Sequence, residues 1–383
     1  MKIAFLCSSL ASGRDGVGDY VRQLAASCTS EGHTCLLIAV NERPATPDRD
    51  CVHLLSTLPW AERATRLREV LEEFAPDWVS WQVVSYGLHP KGIIPRDARA
   101  LAEVTRRWPT HVMVHELWIG LAAGEPWKAR LVGRWQKPRL LDFLRHLQPR
   151  VLHTSNPTYQ SVLRAAGFPA SRLPLFGNIP IALCAPGDAE EVLDSVAGQR
   201  LPLAPRWVAV TFGTVHPQWD ADATLRWLRA AAVSAGRSAV LLAVGRIGGA
   251  ATGSLARLAR QNPDIPIVIT GELPPAKVSA LLQASDFGIA THPWALIEKS
   301  GSAAAMCEHG LPVLVPRDDW RLASNLLTAE PDEPLLARLE HVPPSAAASW
   351  LESRRAAVAR LPVITNRFLS ALSAQPAESP LPA

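Results

Sequence analysis

Two apolar rhythms alternate along this chain, and their alternation constrains the fold more than any other feature of the sequence. Short apolar runs at residues 3–7, 35–40, 78–84, 111–115 and 151–154 read as strands. Between several of them, Val21, Leu24, Ala25 and Cys28, and then Leu67, Val70, Leu71 and Phe74, recur at the helical spacing i, i+3, i+4, i+7. Strand, helix and strand in that order predict parallel pairing, since an antiparallel neighbour needs only a hairpin. Ser155-Asn156-Pro157 predicts a capped helix start with proline in its first turn, and Gly167 stands where that helix should stop.

The rhythm restarts after a Pro- and Ala-rich break at 181–206. Strands are expected at 207–212, 239–244, 265–270, 287–290 and 312–315, with helices at 223–232, 276–284 and 302–309. The expected class is α/β, with two doubly wound parallel-sheet domains in series. Residues 346–372 read as a long helical stretch broken near Pro362, and 373–383 as a flexible tail. Open parallel sheets bind ligands beyond the carboxyl ends of their strands. Two such sheets facing one another would make a cleft, so the loops after the strands are where chemistry is expected.

Of the 383 residues, 39 are Lys or Arg and 35 Asp or Glu, a net charge of +4. The excess is uneven: residues 1–180 hold 22 basic and 16 acidic side chains, the remainder 17 and 19. That balance does not describe a nucleic-acid binder, although a basic face on the first half suits phosphate or an anionic membrane. Residues 125–150 concentrate it, with Lys128, Arg130, Arg134, Lys137, Arg139, Arg145 and Arg150 against two acids and interleaved with Trp127 and Trp135. A helix of this kind either makes a peripheral contact with anionic lipid or presents a solvated charged face, with Leu140, Leu141, Leu144 and Leu147 in the core. Six cysteines without a C-x-x-C pair form neither a legible zinc cage nor a disulfide framework, which points to a reducing compartment. Residues 1–6 are too short for a signal-peptide core, and no apolar run approaches about 18 residues. A cytoplasmic chain, at most peripheral to the inner membrane face, is expected.

Three loops carry candidate chemistry. Gly16, Val17 and Gly18 follow the first strand and open a helix, where backbone amides and the helix field favour phosphate or hydroxyls; the alternative is a tight turn only. The spacing does not fit the G-x-G-x-x-G of a nicotinamide site, and no acidic ribose partner is evident after the second strand. His115-Glu116 ends the fourth run, where imidazole can donate to a sugar hydroxyl or phosphate oxygen and the carboxylate can hold hydroxyls. Lys299-Ser300-Gly301-Ser302 opens a small-residue helix and offers amides, two hydroxyls and an ammonium to a diphosphate. The bland reading of that segment is a capped, tightly packed helix with Lys299 in solvent.

With these residues in place, the sequence resembles the GT-B-fold retaining glycosyltransferases, the nucleotide-sugar family of many mannosyl- and glucosyltransferases. The likeness rests on Gly16-Val17-Gly18-Asp19-Tyr20, His115 after a strand, Asn178, Gly271-Glu272-Leu273, Ser285-Asp286, and the segment from Glu298 to Pro312. It implies an acceptor-side domain at 1–180, a linker at 181–206, a nucleotide-sugar domain at 207–345 and a crossing helix at 346–372. The implied catalytic residues are His115, Glu298 and Lys299. Gly16, Val17, Gly18, Glu116, Asn178, Gly213, Thr214, Arg246, Ser300, Gly301 and Ser302 are the implied binding residues. The donor is a nucleoside diphosphate sugar, and no metal or other cofactor is implied.

Two departures accompany the likeness. Where the family has a second carboxylate for the ribose this chain has Ala305, with Glu308 too late, and after Phe212 there is no cation, leaving Arg246 or Lys299 to compensate. A non-catalytic nucleotide-sugar binder on the same fold is therefore the competing expectation, with an epimerase third. Trp81, Tyr86, His89, Trp118 and Trp127 are rings that either stack on an acceptor sugar or belong to the core.

Overall fold

The computed structural model describes residues 1–11, 16–43, 50–197, 202–203 and 206–374. Parts of three expected segments lie outside the described residues: 12–15 of the first loop, 198–201 and 204–205 of the linker, and 375–383 of the tail. The chain forms two compact units. The first holds Met1–Pro174, Arg321–Ala329 and the chain from Leu361 on; the second holds Leu175–Trp320 and Glu330–Arg360.

In the first unit, β1 (Lys2–Cys7), β2 (Thr34–Glu42), β3 (Val52–Leu55), β4 (Trp78–Val83), β5 (Thr110–Val114), β6 (Val151–Thr154) and β7 (Ser171–Arg172) make one sheet in the order β3-β2-β1-β4-β5-β6-β7. All neighbouring pairs are parallel. The helix Gly16–Ser30 buries Val21, Leu24, Ala25 and Cys28, the face its spacing predicts. Asn156 caps the helix Pro157–Ala165 by accepting from the Tyr159 backbone N–H at 2.9 Å, and Gly167 leaves it with φ +87°. The strands β3 and β7, of four and two residues, are too short to stand out in the sequence pattern.

The stretch 346–372 is not one helix. Ala347–Leu351 and Leu361–Ser373 are separate helices, and nonhelical residues between them include Arg355, whose carbonyl would clash with any Cβ on Gly310. Leu361–Ser373 belongs to the first unit: Phe368 packs on Phe5 at 5.7 Å between ring centroids, and Thr365 donates to Ser27 at 2.8 Å. Burying such a phenylalanine stabilises by about 1.5–3 kcal/mol.

The second unit's sheet comprises β8 (Arg206–Phe212), β9 (Ser238–Val244), β10 (Ile267–Gly271), β11 (Phe287–Ile289), β12 (Val313–Val315) and β13 (Leu336–Arg338), in the order β10-β9-β8-β11-β12-β13 and parallel throughout. Val208, Val210, Val240 and Leu242 enter the core on one face, and Trp207, Ala209, Ala239 and Leu241 that on the other. A sheet buried on both faces explains why these strands read as continuous apolar runs. Within the expected linker, Asp188–Ala197 is helical and places Ala189, Val192 and Leu193 in the first of these cores.

Candidate functional site

In the first unit the candidates gather where the strands end. Gly16 opens its helix, no described residue comes within 4 Å of where its Cβ would stand, and its φ is not left-handed, so neither described packing nor the turn requires glycine there. Val17 and Gly18 follow in the same first turn. His115 and Glu116 follow β5; His115 is buried, with the Tyr20 ring against it edge-on at 5.2 Å.

His115 begins a hydrogen-bonded chain beneath the sheet surface. Its Nε2 donates to the Gln82 side-chain oxygen at 2.9 Å, since a carboxamide oxygen only accepts. The Gln82 amide donates to Ser80 Oγ at 2.9 Å, and Ser80 lies 2.8 Å from His111 Nδ1. His111 Nε2 in turn lies 3.0 Å from His153 Nδ1. Gln82 takes up one acceptor site of Ser80, whose hydroxyl keeps its donor and a second acceptor site for His111. Burial holds His115 down to about 3 and His153 to about 4, and pushes His111 well below the ordinary range, aided by the charge of His153. All three rings are neutral at physiological pH. Nε2–H of His115 is spent on Gln82, so the ring's remaining nitrogen is an acceptor. That suits a sugar hydroxyl and disfavours a phosphate oxygen, which narrows the sequence expectation.

The sequence reading missed the groups flanking His115. Ser85 Oγ beyond β4, and Ser155 Oγ and Asn156 Nδ2 beyond β6, are buried with no hydrogen-bond partner among the described residues. Buried polar atoms of this kind normally have partners, so these three, just beyond the two strands that flank β5, are groups a ligand hydroxyl could satisfy. The signal was the Thr-Ser-Asn run after a strand, which had been assigned only to capping. Glu42 was also missed. It ends β2, as a ribose-binding acid would, but its carboxylate accepts from Ser9 Oγ at 2.8 Å and from the Leu10 backbone at 2.7 Å, holding the first loop.

Of the candidate rings, Trp81 and Trp118 are core residues; Trp81 lies edge-on to Phe143 and donates to Thr105. The Tyr86 hydroxyl accepts from Gln136, His89 accepts from the Lys91 backbone, and Trp127 stands in solvent.

In the second unit the structure brings Asn178, Gly213, Ser300, Gly301 and Ser302 together. Ser300 caps the helix Gly301–Glu308 by accepting from the Ala303 N–H at 3.3 Å and lies 3.1 Å from Ser302 Oγ. A Cβ on Gly213 would lie 3.5 Å from that of Ser302, and one on Gly301 3.9 Å from Asn178 Nδ2. Glu298 and Lys299 end a 3₁₀ turn over Trp294–Lys299, and Thr214 is exposed. Arg246 pairs with Glu272 at 2.7 Å across the ends of β9 and β10, both half in solvent.

Arg317, two residues beyond β12, acts together with Lys299 on His216 and His292. Its buried guanidinium donates to His216 Nδ1 and Gln218 Oε1, both at 2.8 Å, and to both oxygens of Asp319 at 3.1 and 2.9 Å. The His216 N–H donates to Thr291 at 2.9 Å, which ties together the carboxyl ends of β8, β11 and β12. Burial, then the charges of Lys299, His216 and Arg317, hold His292 down to about 4. A Val-Leu-Val strand followed by Pro316-Arg317 was the available signal.

Ala305 also has a clear role. A Cβ on Gly177 would fall 2.5 Å from its Cα, so the small-residue helix packs against backbone, and no ribose carboxylate can project from position 305. Glu308 turns inward, accepting from the Gly177 N–H at 2.8 Å.

No family model and no curated protein matches the chain. Among solved structures it is similar to WaaG, a glycosyltransferase involved in lipopolysaccharide biosynthesis, with 14% identity over 97% of this chain and 100% of that one at a TM-score of 0.58. It is also similar to Anabaena Alr3699/HepE in complex with UDP and glucose, with 14% identity, 98% and 100% coverage and a TM-score of 0.57. The third is UDP-GlcNAc 2-epimerase from Methanocaldococcus jannaschii, with 11% identity, 97% and 99% coverage and a TM-score of 0.53. The fold is GT-B. Both GT-B sheets, their strand orders and the helix Leu361–Ser373 returning to the first unit are present in full among the described residues.

Proposed function

We propose that this GT-B protein is a glycosyltransferase that takes a sugar from a nucleoside diphosphate sugar. The observation that supports it best is the assembly of Gly213, Asn178 and the capped Gly301–Glu308 helix start beside a strand-end cationic cluster containing Lys299 and Arg317. Helix-entrance amides and a lysine are the groups a leaving diphosphate needs, because they meet its developing charge without reorganising. In the proposed reaction the bond from the anomeric carbon to the diphosphate oxygen breaks with its electron pair going to the diphosphate. A bond from an acceptor oxygen to that carbon forms, and the acceptor's proton passes to the departing diphosphate oxygen. Protein groups carry the diphosphate charge, and retention of configuration follows the family likeness. His115, as a hydrogen-bond acceptor, and Glu116 hold hydroxyls, while Glu298 contacts the donor sugar.

The likeness to a 2-epimerase favours a second reading, in which the same donor is converted to its epimer. One experiment separates them. Nucleoside diphosphates and their sugars are screened for a rise in melting temperature, and stabilising donors are then incubated with candidate acceptors while free nucleotide and product stereochemistry are followed. Release of nucleoside diphosphate that depends on an acceptor supports transfer. An epimeric sugar formed without acceptor supports the second reading, and binding without turnover a non-catalytic binder. A melting temperature indifferent to every nucleotide rules out the proposal.

A further inference from the structure

The helix Trp127–Leu147 changes character at Pro138. Beyond it, Leu140, Leu141, Phe143, Leu144 and Leu147 are buried in the first unit. Before it, Trp127 is 65% exposed, Leu131 47% and Trp135 62%. These three stand at i, i+4 and i+8, so they form a single stripe about 12 Å long. Gly133 and Gln136, which are buried, mark the opposite side. At about 100° per residue, Arg130, Arg134 and Lys137 run along one edge of the stripe and Lys128 along the other.

The acids nearby are committed elsewhere. Glu125 accepts from the backbone N–H groups of Gly120 at 2.7 Å and Ala122 at 3.2 Å, and Asp142 is held by Arg99 at 2.6 Å. Lys137 Nζ lies 5.3 Å from the Trp118 ring centroid and Lys128 Nζ 5.8 Å from that of Trp127. Among the described residues the stripe is therefore apolar at its centre and positive at both edges. Two tryptophans and a leucine aligned in water form a patch that a surface helix carries when something covers it.

We infer that this face docks on an anionic lipid bilayer. Trp127, Leu131 and Trp135 enter the headgroup boundary, where an aromatic ring with a polar edge is at home, and Lys128, Arg130, Arg134 and Lys137 lie over lipid phosphates with their stems along the apolar surface. Charge selects the occupant. A second copy of the chain would set these cations against one another, whereas a sheet of anionic headgroups neutralises all four together. The inference does not depend on the reaction proposed above.

The test is flotation of the full chain with vesicles of phosphatidylcholine alone or containing one third phosphatidylglycerol. The protein should float with the anionic vesicles at low salt, and far less with neutral ones or at high salt. Replacing Lys128, Arg130 and Arg134 by Gln should lower the partition coefficient at least about tenfold. Trp127→Ser with Trp135→Ser should lower it comparably and persist as a loss at high salt. Far-UV circular dichroism and melting temperature should not change, because all five side chains lie outside the core. Three results would overturn the inference: no flotation on anionic vesicles at low salt, flotation unaffected by either set of variants, or a lipid-independent dimer that Trp135→Ser dissociates. Should a variant unfold, quenching of wild-type tryptophan emission by brominated anionic lipid decides, with unquenched emission counting against it.

Discussion

The ring nitrogen Nε2 of His115 donates to the side-chain oxygen of Gln82 at 2.9 Å, and this one bond fixes which nitrogen of His115 faces other partners. Gln82 is itself held by donating to Ser80. The tautomer of the candidate sugar ligand is thus set two residues away on the neighbouring strand.

Gln82→Leu keeps the volume but leaves the His115 N–H without a partner and takes from Ser80 the donor that Gln82 supplied, leaving it only His111. We expect a loss of about 1–3 kcal/mol in urea unfolding. Turnover should fall with it, and nitrogen-15 chemical shifts of His115 should show a mixture of tautomers in place of one.

Acid should unfold the first unit through its histidines. His111, His115 and His153 have folded pKa values below the unfolded 6.5, so the folded state binds fewer protons than the unfolded chain. Their contribution is present in full above pH 6.5 and is lost as pH falls towards about 4 and about 3 for His153 and His115. Stability measured against pH should drop steeply over that window, and more gently in His153→Gln.

Glu308 acts with the opposite sign. Burial raises its carboxyl from 4.5 to about 7, even against the hydrogen bond from Gly177. The folded state then holds a proton that the unfolded chain has released, so stability falls as pH rises from about 4.5 through 7, by about 3 kcal/mol in total. Glu308→Gln should flatten that part of the melting-temperature profile.

Lys299→Ala should lower turnover about 10²–10³-fold with little change in melting temperature, the size expected for losing one donor to the leaving group. Arg246→Ala should do much less, because Glu272 already neutralises that guanidinium. Arg317→Ala should cost about 1–3 kcal/mol of stability by stripping His216, Gln218 and Asp319 of their shared donor. Paired kinetics and melting curves of the three variants check all of this.

Gly177→Ala should destabilise the second unit by about 1–3 kcal/mol, because its methyl would fall 2.5 Å from the Ala305 backbone. Urea unfolding measures the loss, and Gly16→Ala serves as a mild comparison in open space.

The sequence by itself determined the two parallel sheets, their main strands, the capped helix start at Asn156 and the strand ends where candidates lie. Apolar period and capping are local properties, written in residues a few positions apart. Only the tertiary structure decided that Arg317 stands with Lys299 about His216 and His292, that Ala305 is sealed by Gly177, that Trp81 is core while Trp127 and Trp135 are not, and which tautomer His115 adopts. A guanidinium, a tautomer and a buried ring take their character from partners dozens of residues distant in the chain. Burial and pairing arise only when those partners are brought within a few ångströms.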